Sequence, residues 1–434
     1  MKPDKNNFTD SASVSSRDVG MLIDEYVNSA ALSRKPHERR WYDNSFFDDG
    51  HHFRYLSRST NKVVDYSERA TIYTPQRAIP KASKQIRGIA NLLLSQEMRP
   101  YVYPERIDSH KYPPIPGQDP QTGQPIMQPN PQLQQVLDRA KDRAKKSGLW
   151  LEKVYDDLDI IEKLTYMVIL AAKYSVSYIK IYPEYGTNKI RATVRDAFDI
   201  YLKGELNDLQ DSPFLIEAAP EFISEIVANP IFNPDQVAKL NPDNKLASSE
   251  IKEAYMKARF GGTLQGHKSP TVILKEAFLK EYLNEDNVYR ISQQENGQEV
   301  LQGKKKGDCV IRHVHSAGGV WLRDEYLIQD EYPVVDFRLE PGPMYQVPLM
   351  ERFIPSNKSL DLIVSRLERI SNSMIGGIWL KRQGEQFEIT NSSGAQVIEY
   401  SSTKPEQAQM TPIPSYPFNL ISLLESFIEE QGVS

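Results

Sequence analysis

Between Leu360 and Ile375 the apolar side chains fall at Leu360, Ile363, Val364, Leu367, Ile370, Met374 and Ile375. Steps of three, four and seven residues put them on one side of an α-helix. The other side carries Lys358, Asp361, Arg366, Glu368, Arg369 and Asn372. A stripe of this length is stable in water only when it is covered, because helical stability comes mainly from packing one face. The spacing predicts a helix that starts after Pro355, with Ser356 as N-cap, and stops at Gly376-Gly377.

Size limits how that cover is provided. With 434 residues the chain exceeds what one core usually organises, so two or three domains are expected. The formal charge is −5, with 53 Lys and Arg against 58 Asp and Glu, so any contact with nucleic acid must be local. One cysteine, Cys309, rules out an internal disulfide framework and fits assembly in a reducing cytoplasm. No signal-peptide core and no run of about 18 apolar residues occurs, so no membrane segment is expected. Aromatic residues (15 Phe, 4 Trp, 23 Tyr) spread along the chain argue for a folded protein.

Residues 1–16 are polar and read as a flexible N-terminus. Val19, Leu22, Ile23, Tyr26 and Val27 predict a first helix over about 17–32, followed by the cation–aromatic stretch Arg39-Arg40-Trp41-Tyr42 and a turn at Asp48-Asp49-Gly50. A second helix is expected over 81–97. The stretch 104–131 holds eight of the 29 prolines and reads as an extended surface loop. Helix resumes near Leu133 and continues, broken at Gly148, to about Lys173. The period then changes to two: Val176–Tyr182 and Lys189–Arg195 form a hairpin, and 196–202 follows as an extended piece. Residues 132–203 thus read as an α+β unit.

Farther on, helices are expected at Pro220–Ala228 and Ser248–Phe260. Strands are expected at Thr271–Tyr282, Val288–Ser292, Asp308–His315 and Val320–Ile328, with turns at Asn284-Glu285-Asp286, Asn296-Gly297 and Gly318-Gly319. After the long helix, a hairpin of Phe387–Thr390 with Gln396–Tyr400 and a helix over Phe418–Glu430 complete the reading. The overall class is α+β.

Chemical motifs are sparse. No GxxxxGK[ST] phosphate loop occurs, and Gly303-Lys304-Lys305-Lys306-Gly307 precedes a strand rather than a helix, which reads as a basic hairpin turn. His313 and His315 alternate on a strand beside Asp308 and Cys309, but no third ligand lies near them in sequence, so a metal site is not expected. His51-His52 beside Asp48-Asp49 reads as a polar loop. Asp156-Asp157 and Glu285-Asp286 read as solvated surface pairs, and Cys309 as a small core residue without an activating base. No enzyme, cofactor or metal is expected.

The order of these features resembles the portal protein of tailed bacteriophages. The resemblance is carried by the helix ending in Gln96-Glu97-Met98-Arg99-Pro100-Tyr101-Val102-Tyr103-Pro104 and by Ala171–Ile181, where the family often has glycine at the positions of Ser175 and Ser177. It continues through Tyr332-Pro333-Val334-Val335-Asp336-Phe337, Met344-Tyr345-Gln346-Val347-Pro348-Leu349 and Ile354–Asp361. It spans about 20–434 in organisation.

What the resemblance implies is a homo-oligomeric ring, usually a dodecamer, at a capsid vertex of the virion. It would serve as the channel for double-stranded DNA in packaging and ejection. Its partners would be the terminase large subunit, neck adaptor and tail proteins, and the major capsid protein. The corresponding organisation is a wing over 17–215, a first stem region over 216–268 and a β-rich clip over 269–348. A second stem helix over 349–378 and a wing or tunnel region over 379–434 follow, with a crown lying beyond Ser434. Stem packing would use Leu360, Ile363, Val364, Leu367, Ile370 and Met374. DNA-facing candidates are Lys358, Arg366, Arg369, Lys381 and Arg382, and ordinary ion pairs are an equal reading for each. Lys304, Lys305 and Lys306 would meet the packaging motor and the adaptor. Trp41 and the 104–131 loop would meet the capsid or a neighbouring subunit. The competing expectations are another neck or tail protein of the virion and, less favoured, a metal-dependent nuclease.

Overall fold

The structure, a computed structural model, describes residues 19–57, 63–65, 76–95, 99–118, 125–128, 130–184, 187, 189–204, 206–259, 270–294, 297–376, 378–384, 396–401 and 413–433. The chain is α+β and divides into two compact units, one of residues 1–90, 167–180 and 194–434 and one of residues 91–166 and 181–193.

Helix α1, Val19–Asp48, is nearly twice the expected length and absorbs the whole cation–aromatic stretch. Its buried stripe runs Ile23, Val27, Ala30, Arg34, Glu38, Trp41, Tyr42, Ser45 and Phe46, at steps of three and four. The charged pair in the middle hides this continuity. Arg34 and Glu38 sit one turn apart and bond each other at 2.7 Å, so the stripe stays satisfied where it stops being apolar. Trp41 is therefore a core residue packed edge-on against Phe198 and Tyr345, not a contact for a neighbour.

Two short strands, β1 (Arg54–Leu56) and β2 (Val63–Asp65), pair antiparallel before helix α2, Lys81–Leu94. Residues 96–98, the expected last turn of that helix, lie outside the described residues. In the second unit the proline-rich stretch is not simply a loop. Strands β3 (Ile115–Gln118) and β4 (Pro125–Gln128) pair antiparallel as a ribbon. Helix α3, Pro131–Asp157, follows, capped by the Asn130 side chain accepting from Gln132 N–H. Gly148 lies inside α3; the break comes at Asp159, at φ 49°, before helix α4, Ile160–Tyr174. No residue of α3 is buried.

Strands β5 (Ser177–Pro183) and β6 (Ile190–Arg195) form the expected hairpin, and β12 (Val334–Phe337) joins the free side of β5 with Val334 opposite Lys180. The larger sheet is five-stranded and antiparallel, in the order β11-β10-β9-β8-β7. Its strands are β7 (Ile200–Leu202), β8 (Phe214–Phe222), β9 (Thr271–Tyr282), β10 (Cys309–Ala317) and β11 (Val320–Leu327). It joins segments assigned by sequence to wing and clip.

Strand β8 displaces the expected start of a helix at Pro220, and helix α5 is left as Ile223–Ala228. Short helix α6, Pro234–Val237, precedes helix α7, Glu250–Arg259, close to expectation. The expected strand Val288–Ser292 is helix α8, Glu285–Ser292: the Asn284 side chain accepts from Asn287 N–H, and Glu285 and Asp286 occupy the first turn. What read as a turn is an N-cap with its acidic complement to the helix dipole. Gly297 opens helix α9, Gly297–Leu301, rather than a hairpin, and a Cβ there would lie 1.5 Å from the carbonyl oxygen of Ile291.

Residues on each strand of the large sheet alternate between its two faces. One face packs Phe214, Ile216, Ala218, Ala277, Leu279 and Val314 under Val19, Ile23, Val27 and Ala30 of α1. The glycine turn Gly318-Gly319, both at positive φ, tightens this contact, since a Cβ on Gly20 would lie 2.4 Å from the Gly319 oxygen.

Helix α10 runs Leu349–Gly376, starting six residues before Pro355 and keeping both Pro355 and Ser356 inside it. Met350 and Phe353 are fully buried and extend the apolar stripe backwards, which outweighs the one hydrogen bond proline removes. Beyond it, β13 (Ile378–Arg382) pairs parallel with β14 (Gln396–Tyr400); the expected partner 387–390 lies outside the described residues. Helix α11, Tyr416–Val433, comes last. It packs with α10, α2 and Phe47 around Leu360 and Ile428.

Arg34 is nearly inaccessible and ties α1 to the chain leading into the large sheet. It donates to the carbonyl oxygens of Ala197 at 3.2 Å, Phe198 at 3.0 Å and Ile200. Glu38 accepts in turn from Ser249 at 2.6 Å. Replacing Arg34 by Met strands Glu38 in the core, and urea unfolding should show a loss of about 3–5 kcal/mol. The double variant Arg34→Met/Glu38→Leu should recover part of it. Equal losses in both would contradict this account.

Candidate functional site

The face of the large sheet turned away from α1 carries a ladder of charge. Cross-strand pairing sets Glu217 of β8 opposite Glu276 of β9, Glu276 opposite His315 of β10, and His315 opposite Arg323 of β11. One step along, Phe278, His313 and Glu325 form a second row. Two carboxylates side by side repel. Lys180 of β5 answers this, bonding Glu217 at 3.1 Å and also Glu276, while Arg195 of β6 pairs with Glu217 at 2.6 Å.

His313 sits between two acceptors. Its Nε2 lies 2.9 Å from Glu276 Oε1 and its Nδ1 3.1 Å from Glu325 Oε1, and Glu325 also holds Arg323 at 2.6 Å. The Phe278 ring stacks parallel on the imidazole, centroids 4.6 Å apart. His315 Nε2 is 3.9 Å from Glu276 Oε2. Its Nδ1 is buried with no hydrogen-bond partner, and Phe232 meets the ring edge-on.

These neighbours divide the protons. Burial alone would raise the Glu276 carboxyl, but Lys180, then His313 and His315, hold it well below the usual carboxylate range. Burial opposes charge on His313 as well, yet its bonds to Glu276 and Glu325 raise its pKa. His315 goes the other way: burial, with help from His313 and Lys180, pushes it down to about 3. Two histidines two residues apart thus favour opposite protonation states.

A metal was not expected here for want of a third ligand, and the structure corrects that premise. Ligand atoms of Glu276, His313 and His315 lie within 4.8 Å of one another. The third donor comes from the neighbouring strand, at a place only the register of β9 against β10 specifies. A lone glutamate within the mostly apolar run Leu274–Leu279 is the signal the sequence offered.

The positions singled out for DNA are scattered in character. Lys358 and Arg366 are exposed on α10. Lys381 pairs with Glu399, directly across the β13–β14 ribbon, at 3.2 Å. Arg369 and Arg382 are each engaged by a neighbouring group. Of the stem-packing residues, Leu360 lies in this chain's own core, Val364 is packed beside it, Ile363 and Leu367 are half-buried and Ile370 is exposed. The Met374 side chain lies outside the described residues. Lys304 is drawn to Asp330, Lys306 to Glu285 at 3.1 Å, and the Lys305 N–H donates to Asp308 at 2.6 Å.

His52 is not part of a polar loop. It stacks on Phe47 and its Nδ1 lies 2.6 Å from Asp361, both side chains buried. Asp361 is the centre of a polar spine on the inner face of α10. Asn357 accepts from Ala82 N–H at 2.9 Å, Asp361 from Ile79 N–H at 2.8 Å, and Ser365 from Arg77 N–H at 3.0 Å. Burial pushes the Cys309 thiol pKa up, which leaves it a weak nucleophile at neutral pH.

No family model matches the chain, and no curated protein is significantly similar to it.

The ladder makes stability depend on pH. Because the folded pKa of His315 lies near 3 and its ordinary value is 6.5, the unfolded chain binds the extra proton between those limits and stability falls on acidification. For this group the loss approaches about 1.4 kcal/mol per pH unit below 6.5. His313, raised, keeps its contribution over the same interval and loses it only as pH rises through its folded value. Glu276 and Glu325, both lowered, lose theirs below about 4.5. Urea midpoints from pH 7 to 4.5 should therefore fall less steeply for His315→Gln than for the parent chain; parallel curves would rule the effect out.

Proposed function

We propose that this chain is a ring-forming structural protein of the tailed-phage portal type, working at a capsid vertex as the conduit for double-stranded DNA. One observation accompanies the reading: three of the stretches that resemble the portal family meet at one node. Tyr332–Phe337 supplies β12, whose Val334–Phe337 pairs with Ser177–Lys180 of the helix-to-strand passage. Within that passage Ser175 adopts φ 74°, a left-handed conformation that glycine adopts freely, at a position where the family often has glycine. Its hydroxyl donates to the Met344 carbonyl at 2.8 Å, and Met344 opens the third stretch, which runs into α10 at Leu349.

Surfaces suited to self-assembly accompany the node. The outer ridge of α10 is Lys358, Leu362, Arg366 and Ile370, cations and apolar groups alternating every four residues, with Leu362 49% and Ile370 47% exposed. Four-residue ridges are what pack against a second helix. Helix α3 leaves Leu149 and Trp150 exposed, and α11 does the same with Phe418, Leu423 and Phe427. Under this reading the ring wraps a polyanion through a mildly acidic protein, which lets DNA slide instead of gripping it.

Negative-stain class averages and sedimentation of the purified chain should give a closed ring with an axial hole. The variant Leu362→Glu/Ile370→Glu should sediment as single chains whose circular dichroism remains that of the folded parent, since both side chains are about half exposed. A parent chain that remains monomeric at micromolar concentration, or assembles without a channel, sinks the proposal.

A further inference from the structure

We propose that Glu276, His313 and His315 form a binding site for one divalent transition-metal ion of the zinc class. The site goes beyond the portal reading and stands or falls separately from it.

Three observations converge on these residues. Their donor atoms already cluster: His313 Nε2 is 2.9 Å and His315 Nε2 3.9 Å from the Glu276 oxygens. Ligands of tetrahedral zinc, bonded at roughly 2.0–2.1 Å, lie about 3.3 Å apart, so sub-ångström shifts bring these pairs to size. The donors stand on the adjacent paired strands β9 and β10, a rigid base that holds spacing better than a loop.

Outer-sphere support is in place for one histidine. Glu325 lies 3.1 Å from His313 Nδ1, which aims Nε2 at Glu276, and Arg323 fixes Glu325 from behind. A carboxylate on the far nitrogen of a ligand histidine is the usual support of a metal site. Stacking on Phe278 sets the ring plane.

His315 has no such outer-sphere partner: its side chain is 11% exposed, its Nδ1 is buried and unpaired, and the edge-on contact with Phe232 sets its ring in place of a hydrogen bond. Two imidazoles and a carboxylate suit zinc, cobalt or nickel better than calcium or magnesium, which prefer all-oxygen sites.

Lys180 is the competitor. Its ammonium occupies the Glu276 carboxylate, and the second acceptor it needs on leaving is already bound at Glu217, 3.1 Å away. On metal entry Glu276 turns from Lys180 to the ion, the proton on His313 Nε2 passes to solvent, and a water completes the fourth position.

The test is titration of the full chain with Co²⁺, read by its visible absorption, with Zn²⁺ as competitor. One equivalent should bind in the four-coordinate pattern and be displaced by Zn²⁺. The signal should vanish in His315→Gln and weaken about 10–100-fold in Glu325→Gln. It should tighten by about tenfold or more in Lys180→Met, which removes a unit charge beside the site. His51→Gln, beside Asp48 and Asp49, should change nothing. Glu325 is partly exposed, so its variant remains informative if His315→Gln fails to fold. No binding by the folded parent chain at millimolar Co²⁺, or binding unchanged in Glu325→Gln, overturns the site.

Discussion

The guanidinium of Arg34 is the interaction on which the first unit depends. It donates to the carbonyl oxygens of Ala197, Phe198 and Ile200, pairs with Glu38 and lies 3.8 Å over the Tyr201 ring. Ala197 and Phe198 belong to the passage between the small sheet and the large one, and Ile200 is the first residue of β7. One side chain bonds all three carbonyls and at the same time fastens the middle of α1. Helix, passage and α7 are thereby held by groups that must all be present, because each alone would be a buried polar group without a partner.

How far the sequence foretold this depended on whether the deciding contact was local. Thr271–Tyr282 was legible to the residue, since Thr271, Val272, Ile273, Phe278 and Tyr282 are residue types that favour a strand. The Val176–Arg195 hairpin and α7 were legible for similar reasons. Helix α1 was cut short at 32 because Arg34 and Glu38 interrupt the apolar period, and only a partner far along the chain explains two charges in a core. Strand β8 hid behind Glu217, Ala218 and Ala219, which favour helix until flanking strands claim their backbone. For helix α8 the local signal is ambiguous: Asn284, Glu285 and Asp286 suit a turn as well as the N-cap and acidic first turn they form. The charged ladder was legible only as isolated letters. His313 and His315 were noticed, but strand register alone brings Glu276, Glu217 and Lys180 to them.

The ladder and the outer ridge of α10 have different standing. Within the ladder, opposite charges are desolvated and arranged by strand pairing, an arrangement expensive to maintain unless it sets specificity or serves a ligand. On the ridge, Leu362 and Ile370 lie about half exposed between cations, outside the buried core formed by the described residues. The proposed portal-type ring would give the ridge a purpose. The ladder asks for one of its own, which a bound metal ion would provide.

The polar spine of α10 has a mechanical meaning. A helix seated by greasy contacts alone tolerates slippage by a turn, since one methyl group replaces another. Asn357, Asp361 and Ser365 grip named amide groups of residues 77–82, and Asp361 grips His52 besides, so the shaft is keyed like a gear tooth. A shift of α10 along its axis would break these bonds unless residues 77–82 moved with it.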